Sequence, residues 1–167
     1  MSITTFVRPT RSSRFSTSRA TSSDALTVSE KLREVKAAVR SSDFLGGVTR
    51  KAVGELTNMF LDCFRPNWDG YDSSPVTAQT FANARAFLEE FGGDWPKPSI
   101  GTDPDGELSL EWYRAPKLRF SVSIGPDPTL AYAGMFGSST VHGTDTFVDE
   151  VPEGIVQNLR RLYRMPV

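Results

Sequence analysis

The sequence predicts an α+β domain: N-terminal helices, an antiparallel meander sheet of four to five strands, and a C-terminal helix packed on that sheet. Three observations predict it. Apolar residues recur at three- and four-residue steps from Leu26 to Phe91. From Glu107 to Phe136 they alternate with polar residues instead. The helical period then returns in Ile155, Val156, Leu159, Leu162 and Tyr163.

The elements follow in order. Residues 1–23 are rich in Ser, Thr and Arg and carry Arg8, Arg11, Arg14 and Arg19 with no acid. Few bulky apolar side chains lie here, so alone this arm cannot offset its ordering entropy. Its composition fits a solvated tail, an organelle transit segment, a phosphate-binding arm or a docking arm. A first helix is expected over Asp24–Arg40, with Leu26, Val28, Leu32, Val35 and Val39 on one stripe. Ser41-Ser42-Asp43 interrupts it and supplies a new N-cap. A second helix is expected from about Phe44 to Phe64, its face made by Val48, Ala52, Leu56, Met59 and Phe60. Arg65-Pro66 ends it, because a proline disfavours helical geometry in the residue before it.

The most informative stretch comes next: Asn67-Trp68-Asp69-Gly70-Tyr71-Asp72. After it a third helix runs from Thr77 to Phe91, capped by Thr77 or Ser74 and stopped by Gly92-Gly93. A short edge strand at Pro98–Gly101 and a tight turn at Thr102–Gly106 precede the main sheet. Leu108, Leu110 and Trp112 face one way, as do Leu118, Phe120, Val122 and Ile124. A five-residue connection through Ala115-Pro116 sets Leu110 opposite Phe120 and Glu111 opposite Arg119. A third strand, Leu130–Phe136, places Tyr132 opposite Val122 and Gly134 opposite Phe120. A fourth spans Ser139–Phe147, with Gly143 as a break. Pro152-Glu153 opens the closing helix. The organisation is thus a basic arm, 1–23, and one α+β domain, 24–167.

Net charge is −1, but it is unevenly spread. Residues 1–23 carry +4, residues 24–66 carry +1, residues 67–155 carry −9 and residues 156–167 carry +3. The body is acidic and both ends are basic, the last through Arg160, Arg161 and Arg164. No apolar run reaches the roughly 18 residues of a membrane span, so no membrane partner and a cytoplasmic setting are expected. One cysteine, Cys63, excludes a disulfide framework within the chain; one histidine, His142, excludes a two-histidine metal motif. There is no phosphate loop, dinucleotide fingerprint, serine elbow or metalloprotease helix. No cofactor is expected. Cys63 reads as a buried small hydrophobe and His142 as a strand residue, with a catalytic role the sharper alternative for His142.

Two readings of the Trp68–Asp72 stretch stand side by side. In one, Asp69 accepts backbone bonds across Gly70, while Trp68 and Tyr71 wedge between helices and sheet. In the other, Asp69, Asp72 and a third carboxylate, Glu111 or Asp105, converge on a metal or cationic ligand beside a wall of Trp68, Tyr71 and Trp112. The catalytic candidates are therefore Asp69, Asp72, Glu111 and His142. The binding candidates are Trp68, Asp69, Tyr71, Asp72, Trp112 and the arm's Arg8, Arg11, Arg14 and Arg19.

Asn67-Trp68-Asp69-Gly70-Tyr71, then Pro75-Val76, Pro98, Asp105-Gly106-Glu107-Leu108 and Leu110-Glu111-Trp112 resemble a pattern of small bacterial proteins of no settled activity. The resemblance covers residues 66–135. Asp72-Ser73-Ser74 departs from the smaller residues expected after the tyrosine. It implies a bacterial or phage protein, cytoplasmic, near mobile or defence elements. Together with the charge pattern it points to a non-catalytic interaction subunit, accessory, immunity or antitoxin-like, whose partner is another protein or a second copy. A metal-dependent hydrolase or nuclease, a nucleic-acid mimic, and a nucleic-acid binder working through the basic ends are the alternatives.

Overall fold

The computed structural model describes residues 46–93 and 95–164. The arm and the helix expected over Asp24–Arg40 lie outside the described residues.

Helix α1 is Gly47–Cys63. Its face of Ala52, Val53, Leu56, Phe60 and Cys63 is buried. Helix α2 is Ala78–Phe91; Thr77 caps it, its hydroxyl accepting the Thr80 amide at 3.0 Å. The cap satisfies one of the amides a helix start leaves unpaired. Five strands follow, β1 Ser99–Thr102, β2 Leu108–Ala115, β3 Leu118–Ile124, β4 Thr129–Phe136 and β5 Ser139–Thr146. They form one antiparallel sheet in sequence order. Helix α3, Glu153–Arg164, closes the chain. The α+β class and the meander are as the periodicities predict.

The period-two pattern sets which face is covered. Leu108, Leu110, Trp112, Leu118, Phe120, Val122, Ile124, Leu130 and Phe136 are buried. Helices α1 and α2 pack on one another, α1 against β1, α2 against β2 and β3, and α3 against β3 and β4. Trp112 lies at the centre, its ring 5.2 Å from Phe91 and 6.4 Å from Phe120. Its indole N–H donates to the Pro96 carbonyl at 2.8 Å, so the one polar atom of that buried ring is satisfied.

The β2–β3 register corrects the expectation. Leu110 pairs with Val122 and Glu111 with Ser121, while Trp112 meets Phe120 and Tyr113 meets Arg119. The strands run on to Ala115 and Leu118, leaving only Pro116 and Lys117 as the turn; Lys117 has φ 64°. The pairing slips by two residues, which keeps every side chain on its face. The β3–β4 register is as expected, Val122 against Tyr132 and Phe120 against Gly134. Gly143 does not break β5. It sits opposite Tyr132, and a Cβ there would lie 2.6 Å from the tyrosine hydroxyl. The glycine is the space that the ring occupies.

Candidate functional site

The segment from Arg65 to Val76 is tied down on both sides. The Val76 amide donates to the Cys63 carbonyl at 2.9 Å, and the Ser74 amide to the Pro104 carbonyl at 2.8 Å. The loop between α1 and α2 is thus fixed to the end of α1 and to the β1–β2 turn.

Inside it, residues 67–73 close on themselves. The Asn67 amide donates to the Ser73 carbonyl at 2.8 Å, and the Gly70 amide to the Asn67 carbonyl at 3.2 Å. Asn67 Oδ1 accepts the Asp72 amide at 2.8 Å, and Asp69 Oδ1 accepts the Tyr71 amide at 2.8 Å. Asn67, Gly70 and Asp72 have φ of 58°, 80° and 66°. Asn, Gly and Asp are the residues that tolerate this region best, so the composition of the stretch is the composition this loop needs. The Tyr71 amide, above all, holds the Asp69 carboxyl below its ordinary range.

The loop separates Trp68 from Tyr71. Trp68 is half-buried against the core, its Nε1–H donating to the Ser74 carbonyl at 3.0 Å. Tyr71 is 89 % exposed. The wedge expected for both aromatics is therefore formed by Trp68 alone. Trp112 is 1 % exposed, within the core; the aromatic wall is not assembled.

The carboxylates fall in two places. Asp69 and Asp72 belong to the loop, beside the turn that carries Asp105. Glu111 lies instead on the sheet face away from the helices. There it shares a row with Ser121, Ala133 and His142. The row spans three strand steps, about 14 Å, too far for Glu111 and His142 to exchange a proton directly. Between them runs a shallow groove of about 420 Å³, flanked by Arg119 and Thr140 and floored by Ala133 and Met135. Among the described residues, no three His, Cys, Asp or Glu side chains form a group that could hold a metal ion. Cys63 is buried, with Sγ 3.6 Å from Thr102 Oγ1 on β1, while His142 is exposed on β5, so the two form no dyad. Arg8, Arg11, Arg14 and Arg19 lie outside the described residues.

What the topology assembles was not visible in any single motif. In an antiparallel meander alternate turns share an end. Asp103, Asp105 and Glu107 at the β1–β2 turn, Asp127 at the β3–β4 turn, and Asp145, Asp149, Glu150 and Glu153 around the exit of β5 therefore lie at one end. The Asp69–Asp72 loop, bonded to the β1–β2 turn, joins them. Burial and then the neighbouring Asp105 push the Asp103 carboxyl up. Burial, followed by Asp105, Asp103 and Asp127, does the same to Glu107. Exposed Val148, beside Asp149, and Tyr71 are the apolar groups among these acids. The acid-rich turns were legible one by one; reading them against the register would have joined them.

Compared with known proteins, the chain matches no family model, no curated protein and no solved structure. Among the described residues no helix is long and apolar enough to cross a membrane.

Proposed function

We propose that the chain is a non-catalytic interaction protein, an accessory, immunity or antitoxin-like subunit of a bacterial or phage system acting in the cytoplasm. It docks its acidic end on a basic surface of a partner protein. The observation that carries this reading is Tyr71. An 89 % exposed tyrosine stands on a loop whose backbone is pinned by four hydrogen bonds and held at three positive-φ positions. Holding non-glycine residues at positive φ costs free energy, and the loop that bears this cost packs Trp68 against the core and buries Ser73 while leaving Tyr71 in water. A rigid loop that presents an aromatic side chain, rimmed by Asp69 and Asp72, is the form of an interface anchor. Little entropy is then lost on docking, and the acids steer a basic partner to it.

The test starts from the full chain purified from its native host, with the co-purifying protein identified and its affinity measured. Tyr71→Ala leaves the melting temperature unchanged and weakens that affinity by tenfold or more, the loss expected of an anchor side chain. Asn67→Ala, which keeps the tyrosine but removes the acceptor for the Asp72 amide, weakens it less. Wild-type affinity in the Tyr71→Ala chain would sink the reading.

A further inference from the structure

The acidic end has a counterpart. At the opposite end of the sheet, about 25 Å away along strands of seven and eight residues, the β2–β3 hairpin carries Arg114, Lys117 and Arg119. Helix α3 runs from one end to the other. It begins at Glu153, beside Asp145, and finishes with Arg161 and Arg164 in its last turn. Its C-terminal turn is held at the basic end: Arg114 Nη1 donates to the Leu162 carbonyl at 2.9 Å, and the Arg161 guanidinium lies 4.4 Å from the centre of the Phe136 ring. Lys117, Arg119 and Arg164 are exposed there. Tyr113, 58 % exposed and directly across from Arg119, lies with it on the sheet face away from the helices, while Arg164 stands on the helix side of the same end.

An acidic surface alone would be an ordinary solvated surface. What points to an occupant is that the same body carries the complement. Each end has one exposed tyrosine within its own charge, Tyr71 among acids and Tyr113 among bases. An aromatic anchor inside a charged rim is the composition of a protein interface. Opposite charges on opposite ends, unlike a patch that meets its own copy across a twofold axis, favour head-to-tail contact; like ends repel.

We propose that the partner surface for the acidic end is the basic end of a second copy of this chain, giving a head-to-tail assembly in which each copy uses two different surfaces. The inference rests on the interaction reading above and names its partner. Tyr71, Asp72, Asp149 and Glu150 of one copy face Tyr113, Lys117, Arg119 and Arg164 of the next. Because the contact is heterologous, the assembly grows with concentration rather than stopping at a dimer, unless its rotation closes a ring.

The experiment is sedimentation of the full chain over a range of concentrations and salt. Its weight-average mass is expected to rise above one chain with concentration and to fall back as salt is raised. Two triple variants separate the ends: Lys117→Gln/Arg119→Gln/Arg164→Gln, and Asp72→Asn/Asp149→Asn/Glu150→Gln. All six positions are exposed, and thermal melts confirm that both variants fold. Each variant alone associates about tenfold more weakly than wild type. An equimolar mixture restores wild-type affinity, because one variant keeps its acidic end and the other its basic end, and it stops at two chains. A chain of monomer mass throughout overturns the proposal, as does association that ignores salt and both variants. Loss of association on deleting residues 1–23, with both triple variants unaffected, overturns it in favour of the arm. A basic end that binds a short DNA duplex while the chain stays monomeric overturns it in favour of a phosphate backbone. If the chain is monomeric yet Tyr71→Ala still loses the host partner, this proposal falls and the interaction reading stands.

Discussion

Gly106 lies against the carbonyl of Pro75: a Cβ on this glycine would sit 2.6 Å from the Pro75 oxygen. The contact joins the β1–β2 turn to the loop before α2. The Ser74 amide and the Pro104 carbonyl bond beside it. Two separated parts of the sequence pattern, Asn67–Tyr71 and Asp105–Gly106, are therefore neighbours in space. The glycine is required twice, by this approach and by its φ of 88°.

Gly106→Ala is accordingly expected to destabilise the protein by roughly 2–4 kcal/mol, the strained backbone and the overpacked contact adding together. Gly70→Ala is the control: it has φ 80° but nothing within 4 Å of its Cβ position. It should cost only about 1–2 kcal/mol. Urea unfolding of both variants checks the difference, and equal losses would mean that the Pro75 contact does not matter.

Gly143 and Tyr132 form a second such pair. Gly143→Ala pushes a methyl group to 2.6 Å from the hydroxyl and 2.8 Å from Cζ of Tyr132, and should cost about 1–3 kcal/mol. In the Tyr132→Ala background the ring is gone, and the same substitution should be nearly free. The interaction free energy from a double-mutant cycle measures this coupling directly. Additive losses would show that Gly143 is there for another reason.

Trp112→Phe keeps most of the central ring but orphans the Pro96 carbonyl. The expected loss is roughly 1–3 kcal/mol from the unmade hydrogen bond, plus a cavity contribution from the missing atoms. Trp112→Ala should lose about 3–5 kcal/mol. Calorimetry or denaturant titration reads both.

The acidic turn makes a prediction with a sign. Asp103 and Glu107 have carboxyl groups raised in the fold, by burial first and by Asp105 next. A raised carboxyl opposes folding once both states are ionised. The penalty is thus fully present above the folded pKa and vanishes below the unfolded value. Asp105→Asn keeps the side-chain oxygen that accepts the Glu107 amide at 3.1 Å, while removing the charge. It should stabilise the protein at pH 7 by a few tenths of a kcal/mol, small because these groups are largely in water. The gain should fade as the pH falls through the carboxylate range. Denaturation midpoints at about pH 7 and pH 3 test it, and a larger gain at the acid end would reverse the argument.

The β2–β3 hairpin shows how far a period-two pattern can be read. Alternation assigned Leu110, Trp112, Phe120 and Val122 to the buried face, and they are buried. It could not tell Leu110 against Phe120 from Leu110 against Val122, since a slip of two residues leaves each face unchanged. The two-residue Pro116-Lys117 turn, with Lys117 at positive φ, and the register shift between Tyr113 and Ala115 decided it together. Gly143, taken with its flanking residues alone, suggests a break in the strand. Its use is set by Tyr132 on the neighbouring strand, not by its own flanks.

The local and periodic features belong to the sequence by itself: α2 with a cap at Thr77 or Ser74, the strands, the core faces and a loop composition suited to positive φ. Those depend on neighbours within a few residues, where side-chain period and backbone propensity suffice. Tertiary structure decided what comes together. It put Trp112 in the core and Tyr71 in water, set Glu111 on the far face from the loop that holds Asp69 and Asp72, and gathered three separate turns into an acidic end opposite a basic one. Charge acts through space, and only the order and register of the strands say which distant residues share an end.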